Sequence, residues 1–214
     1  KILDRARVYD HKLRAYYTLM SASAAQNDLK AAISIGFEVL AQLGETFDEN
    51  ANMQTILTEL SYTKGMLVSK DRQWFRTHHI MSDEQKLYAM NFLYVLVLYV
   101  FLTGGSRASL LACRMIQLSV KYGLCKQSAC AFAVYAMALC GALADYEEAY
   151  EAGKLAWLIM DNFQAKDIVA RCSTVVCGCI NIWVEPLQAI LPQLMEAYNA
   201  TISSGDPEFA LLSL

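Results

Sequence analysis

Residues 127–149 read QSACAFAVYAMALCGALADYEEA, and the fold class follows from how this stretch is parsed. Positions 127–144 carry no charge and are rich in alanine and cysteine. Asp145 then opens a new segment whose first turn holds Glu147 and Glu148. Carboxylates in that position oppose the helix dipole, so a helix begins there. The spacing predicts an apolar helix over 127–143 and a second over 146–162, joined by a connection short enough to make them antiparallel neighbours. Working outward, proline is absent from residues 1–185, and the three prolines are Pro186, Pro192 and Pro207. Glycine is sparse too, so strand-bounding turns are few. Further helices are predicted over 2–26, 29–43, 52–69, 84–103, 107–122, 165–183 and 187–203. The chain is all-α.

Aligning the helix openings brings out a repeat. Asp28-Leu29-Lys30-Ala31-Ala32-Ile33, Ser106-Arg107-Ala108-Ser109-Leu110-Leu111-Ala112, Asp145-Tyr146-Glu147-Glu148-Ala149 and Glu185-Pro186-Leu187-Gln188-Ala189 superpose on Ala32, Ala112, Ala149 and Ala189. The last three are 37 and 40 residues apart, and the first gap, 80, is two periods of forty. An irregular unit is therefore expected around 52–78. Gly44 and Gly123 close helices as C′ residues. A period of 37–40 residues with two helices per unit predicts a helical solenoid of antiparallel pairs. A single pair cannot cover its own apolar face, and stacked pairs can. Tyr135, Gly141, Tyr146 and Ala149 are similar to the tetratricopeptide pattern, so the expected fold is a tetratricopeptide-like solenoid. It forms one helical-repeat domain over 1–214, with pairs at 1–44, 50–80 (irregular), 84–123, 127–163 and 165–204.

The composition supports a packed core. The chain has 214 residues, 56% of them hydrophobic and 18% charged, and its mean hydropathy is +0.26. Disorder requires the opposite balance. A net charge of −3 lacks the basic surplus of a nucleic-acid footprint. Residues 87–106 carry no charge over a length that can span a bilayer, and 127–144 are uncharged as well. Three features favour a buried first helix of a repeat instead. Tyr88, Asn91, Tyr94 and Tyr99 spread polar atoms along the first segment. Gln127, Ser128 and Gly141 weaken the second. Arg107, Arg114 and Lys121 put a solvated stripe on the helix between them.

No catalytic constellation emerges. The cysteines at 113, 125, 130, 140, 172, 177 and 179 are odd in number, lie in apolar segments and contain no CxxC, which predicts reduced, structural thiols of a cytosolic chain. Cys177 and Cys179 point to different helix faces. His78-His79 have no Cys or carboxylate at ligand spacing, so they belong to a polar inter-helix loop. Gly104-Gly105-Ser106-Arg107 lacks the spacing of a phosphate loop and makes a turn. Asp145, Glu147, Glu148 and Glu151 answer to the helix dipole rather than to a cation. Trp74, Trp157 and Trp183 are expected in core or inter-repeat packing. No catalytic, cofactor-binding or metal residue is assigned.

The stretch Trp183-Val184-Glu185-Pro186-Leu187, followed by Leu191-Pro192, Leu194, Glu196-Ala197-Tyr198 and Gly205-Asp206-Pro207-Glu208-Phe209-Ala210, resembles a segment of one family. That family is the tetratricopeptide-like helical region of very large multidomain signalling proteins, the predicted ATPases or multi-sensor kinases. Ala31-Ala32-Ile33-Ser34-Ile35-Gly36, Val39-Leu40, Leu43-Gly44, Ser119-Val120-Lys121-Tyr122-Gly123, Ala131-Phe132-Ala133, Tyr135 and Gly141 are similar in the same order, whereas residues 50–105 depart from the pattern. The resemblance implies a region that follows an AAA- or STAND-type ATPase domain, often behind a Ser/Thr protein kinase. GAF sensors and a histidine kinase or cyclase output follow it. ATP would then be bound by the parent protein outside this segment.

Two features fit an origin in a longer polypeptide: the uncapped start at Lys1 and the apolar stop Phe209-Ala210-Leu211-Leu212-Ser213-Leu214. Pro192 is expected to kink its helix by releasing the carbonyl of Gln188. The expected function is a non-enzymatic interaction and linker module with protein or interdomain partners, cytoplasmic, binding neither nucleic acid nor membrane. A stand-alone peptide-binding adaptor is the alternative, and a polytopic membrane segment ranks below it.

Overall fold

The computed structural model describes residues 9–204. Ten α-helices account for most of them: α1 (Tyr9–Ala25), α2 (Leu29–Gln42), α3 (Met53–Leu67), α4 (Arg72–Thr77), α5 (Glu84–Leu102), α6 (Ala108–Tyr122), α7 (Lys126–Ala138), α8 (Tyr146–Phe163), α9 (Val169–Val175) and α10 (Leu187–Ser204). Among the described residues there is no strand, only the isolated parallel bridge Ile80–Leu124. Lys1, the positions up to 8, and the Gly205-to-Ala210 part of the resemblance, Pro207 included, lie outside the described residues.

Local chemistry sets the helix starts. Asp28, Asn52, Asp71, Asp83 and Asp145 each accept a backbone N–H from three residues ahead, at 3.0, 3.0, 2.8, 3.1 and 3.3 Å. Such a cap satisfies one of the orphan donors at a helix N-terminus. Leu43, at the end of α2, is followed by Gly44 with φ +81°, and Gly123 ends α6 with φ +106°, as expected of closing glycines.

Sequence neighbours pack as pairs: α1 with α2, α5 with α6, α7 with α8, and α9 with α10. Each pair also meets the next, through α2–α5, α6–α7 and α9 against both α7 and α8, and the first helices touch along α1–α5–α7–α9. The stretch expected to form a degenerate unit does something else. Because α2 packs directly on α5, no unit lies between the first two pairs; α3 and α4 instead lie against the second helices, α3 on α6 and α4 on α8. Phe75 of α4 is buried and meets Phe132 of α7 edge to face at 5.3 Å. An 80-residue gap between aligned alanines is thus one repeat step plus an insert. The fourth alanine also departs from the pattern. Ala32, Ala112 and Ala149 are fully buried, but Ala189 is exposed and Ile190 takes the inward position.

Both α7 and α9 widen at their ends into π-helical turns, Leu139–Leu143 and Val176–Ile180. Each turn carries a Cys-Gly pair at its second and third positions, and the two pairs lie 37 residues apart. The single helix expected over 165–183 is therefore a short α-helix, a π turn and a 3₁₀ turn, Asn181–Trp183. A π turn inserts an extra residue per turn and redirects the helix that follows.

The central helices have no polar side. Between Ala89 and Val100 of α5, only Asn91 and Tyr94 are not buried. In α7 every residue from Gln127 to Ala136 is buried. Glu84–Leu102 and Lys126–Leu143 are long and apolar enough to cross a membrane, yet 56% and 67% of those stretches are buried against other helices of the fold.

A polar network crosses this packing. The Glu45 side chain is completely buried just after α2 and accepts from Lys86 Nζ at 2.8 Å and Arg114 Nε at 2.5 Å. Arg114 donates onward to Gln117, which donates to Glu59 at 2.9 Å and Thr63 at 3.1 Å on α3. The stripe expected to be solvated is so at Lys121 and half so at Arg107 and Arg114, and each side chain also has a partner. Arg114 holds Glu45, Arg107 lies over the Phe37 ring at 4.7 Å and Lys121 over Tyr122 at 5.1 Å.

Gly123 and Gly141 separate two roles for glycine. A Cβ on Gly123 would come 2.7 Å from Met81 N and 2.8 Å from His79 O at a left-handed φ, whereas one on Gly141 meets nothing within 4 Å. Gly123→Ala is expected to cost roughly 2–3 kcal/mol in urea unfolding, from backbone strain plus the clash. Gly141→Ala is expected to be neutral or to stabilise by up to about 1 kcal/mol. Equal effects at the two positions would contradict these placements.

Candidate functional site

The cysteines, histidines, acidic group and tryptophans singled out in the sequence do not converge on one centre. Burial raises Cys113 to about 12 and Cys177 to about 11, and also raises Cys125, Cys140 and Cys179. Cys172 is raised well above the ordinary thiol by its hydrogen bond to Cys130 and by burial. Cys130 goes the other way, lowered by its hydrogen bond with Cys172; the six raised thiols stay protonated, and protonated thiols are neither nucleophiles nor metal ligands at neutral pH. Among the described residues no group of three or more metal-ligating side chains occurs.

His78-His79 join α4 to the segment before α5. His78 stacks on Trp74 at 3.9 Å, and its Nε2 is buried with no hydrogen-bond partner among the described residues. His79 O accepts from Leu124 N at 2.9 Å, and Leu124 O accepts from Met81 N at 2.8 Å, tying this connection to the α6–α7 connection. The pair is thus more ordered than a polar loop. Of the tryptophans, Trp74 and Trp157 pack against the core, while Trp183 is 58% exposed and stacks on Tyr146 of α8 at 5.0 Å.

The acidic group is answered by cations of the insert. Lys64 of α3 donates to Asp145 at 2.9 Å and lies 3.7 Å from Glu148, and Arg72 of α4 reaches Glu151 at 3.1 Å. Lys154 also pairs with Glu151. The hydrogen bond from Lys64 holds Asp145 below its ordinary value, and that from Lys154, with Arg72, does the same for Glu151. These pairs fasten α3 and α4 to α8, a role that the local sequence does not reveal.

Among the hollows left between the described residues, the most apolar is a groove that runs across the first helices of three pairs. α5 contributes Tyr94, Val97, Leu98 and Phe101; α7 contributes Cys130, Val134 and Met137; α9 and its π turn contribute Arg171, Thr174, Val175, Gly178 and Cys179. On each helix these positions follow the i, i+3, i+4, i+7 rhythm of a single face. The hollow holds about 270 Å³ and its walls are mostly carbon. The Arg171 guanidinium lies over the Tyr94 ring, 5.2 Å from its centroid. Toward the start of α5 a second hollow is bordered by Leu13, Arg14, Tyr17 and Thr18 of α1 and by Tyr88, Asn91 and Phe92 of α5. Between α5 and α7, Gln127 donates to Asn91 Oδ1 at 2.5 Å.

Sequence reasoning missed the groove because α5 and α7 are apolar on every side and show no distinct face. One signal was available. Arg171 is the only charged residue between Asp167 and Glu185, in an otherwise apolar run. No family model, curated protein or solved structure matches the chain.

Burial, with the charge of His79 beside it, lowers His78 from its ordinary 6.5. The unfolded chain then takes up the His78 proton at a higher pH than the folded chain does. Stability is therefore complete above pH 7 and falls as the pH drops through 6.5 toward the folded value. The thermal midpoint of the protein is expected to fall between pH 7.5 and 5.5 more steeply than that of His78→Phe, which keeps the stack on Trp74. Parallel profiles would contradict a neutral, half-buried His78.

Proposed function

We propose that this chain is a non-catalytic helical-repeat module, tetratricopeptide-like in its pairing, that mediates protein–protein or interdomain contacts in a large cytoplasmic signalling ATPase or kinase. The observation that carries the reading is the apolar groove over α5, α7 and α9, which the described residues do not fill. Stacked helix pairs present extended surfaces of this kind. The order of pairs supports the tetratricopeptide-like part of the reading, since first helices touch first helices and each second helix leads into the next pair. The Trp183-to-Tyr198 resemblance supports the signalling context.

In this reading the module has two tasks. The groove holds a partner segment or a neighbouring domain, and small shifts between stacked pairs convey the ATPase state toward the output domain. ATP and phosphotransfer chemistry belong to other parts of the parent polypeptide. A stand-alone adaptor would use the same groove, and the two differ in the size of the protein that carries it.

An immunoblot of native extract with antibody raised against the purified chain distinguishes them. The module reading expects a band several times the 23.9 kDa of this chain. A band near 23.9 kDa would sink the multidomain context and leave a self-contained adaptor.

A further inference from the structure

We propose that Cys130 of α7 and Cys172 of α9 form a redox pair: a peroxide oxidises Cys130 at the base of the hollow, and Cys172 closes on it as a reversible disulfide that locks the two helices together. The pair stands on the packing of the thiols and does not depend on the interaction-module reading.

The two residues meet across the contact between α7 and α9, where their thiols share a hydrogen bond. Their surroundings differ in the way the chemistry needs. Cys130 belongs to the lining of the hollow and keeps 8% of its surface exposed. Cys172 is completely buried. A small oxidant therefore reaches Cys130 first, and Cys172 reacts only with what Cys130 becomes.

Electrostatics assign the same roles. The hydrogen bond from Cys172 lowers Cys130 from the ordinary thiol value against the opposing effect of burial, and the charge of Arg171 adds to the lowering. The same bond, with burial, keeps Cys172 protonated. The thiolate is the form of cysteine that reacts, and positive charge with partial exposure is the setting of reactive cysteines. Exposure alone selects a different pair. Cys140 and Cys179 are more exposed than Cys130, and they lie near enough for the charge of one to raise the other. Burial, however, raises both thiols and leaves neither activated.

With hydrogen peroxide as oxidant, the Cys130 thiolate attacks one oxygen and the O–O bond breaks. The departing hydroxide takes up the proton that Cys130 released and leaves as water, and Cys130 carries a sulfenic acid. Cys172 Sγ then attacks the Cys130 sulfur, the S–O bond breaks, and the hydroxide leaves with the Cys172 proton as a second water. Two thiols are oxidised to a disulfide and one peroxide is reduced to two waters. Because Cys172 is already in contact, closure outruns oxidation to the sulfinic acid. The S–S bond, about 2.05 Å long, is shorter than the hydrogen bond it replaces, so oxidation draws α9 onto α7. A thiol reductant reverses it by exchange.

The test treats the reduced, purified chain with a few equivalents of hydrogen peroxide, alkylates the remaining thiols in denaturant and maps the products by mass spectrometry. One disulfide within the chain is expected, joining Cys130 to Cys172, and dithiothreitol is expected to restore all seven thiols. Peptic peptides of the unmutated chain identify the linked residues without any substitution. Cys172→Ser keeps a donor beside Cys130 but cannot close the bond, so Cys130 is expected to accumulate as a sulfenic acid that dimedone traps. Cys130→Ser is expected to leave Cys172 unoxidised, and Cys140→Ser and Cys179→Ser to leave the disulfide in place. A bond between Cys140 and Cys179, a disulfide between two chains, or oxidation of the exposed thiols without a bond would each overturn the pair. Seven intact thiols under a peroxide concentration that oxidises free cysteine would overturn it as well.

Discussion

Helices α5 and α7 have no side that can face water for their full length, and the rest of the architecture follows from covering them. Each fully buried large aliphatic or aromatic side chain contributes about 1.5–3 kcal/mol, and α5 alone buries Met90, Phe92, Leu93 and Leu96 almost completely. Covering α5 takes α1 and α2 on one flank and α6 and α7 on the other. Covering α7 takes α6, α8 and α9. The groove lies where these two helices meet α9: Val97, Leu98, Cys130 and Val134 are buried at its base, and Tyr94, Phe101 and Met137 reach its opening. Fold and candidate site are therefore two outcomes of one packing problem.

The polar groups of the interior work as locators. Burying the Glu45 carboxylate costs several kcal/mol of desolvation unless cations and hydrogen bonds meet it. Lys86 and Arg114 meet it, and Gln117 extends the network to α3. The end of α2 is thereby held in one position relative to α5, α6 and the insert. The three exposed pairs at Asp145, Glu148 and Glu151 are weaker individually, and they hold the insert against α8. Gly123, with φ +106° and no room for a Cβ, lets the α6–α7 connection close on His79 and Met81.

Much of this was legible in the sequence, for physical reasons that separate what could be read from what could not. Helix content follows from the absence of proline before position 186 and from the Asp and Asn caps, which act within one turn of chain. The closing role of Gly44 and Gly123 is equally local. The place of residues 53–77 was not legible. An insert that packs on second helices and a degenerate repeat unit leave the same trace, a gap of 80 residues between Ala32 and Ala112. The Glu45 network was hidden because its partners lie 41 and 69 residues away. The groove was hidden because a helix that is apolar all round does not announce which strip stays open. The Cys-Gly pairs of the two π turns were visible as a 37-residue repeat, but only the backbone gives them meaning. In α10 the expected alanine is displaced by Ile190, and Leu187, Leu191 and Met195 face outward, so the repeat alignment and the packing part company at that end.

The central claim is that α5 and α7 are covered by the protein's own helices. Native-state hydrogen exchange in detergent-free buffer tests it most directly. The account predicts that amides of Met90–Val100 and Ala129–Ala138 exchange only through global unfolding, with α3 and α4 opening at lower free energy. Amides of α5 and α7 that exchange as fast as those of α3 and α4 in buffer, and gain protection only when lipid bilayers are added, would contradict it. Lipid, not α1, α2, α6, α8 and α9, would then be what covers these helices.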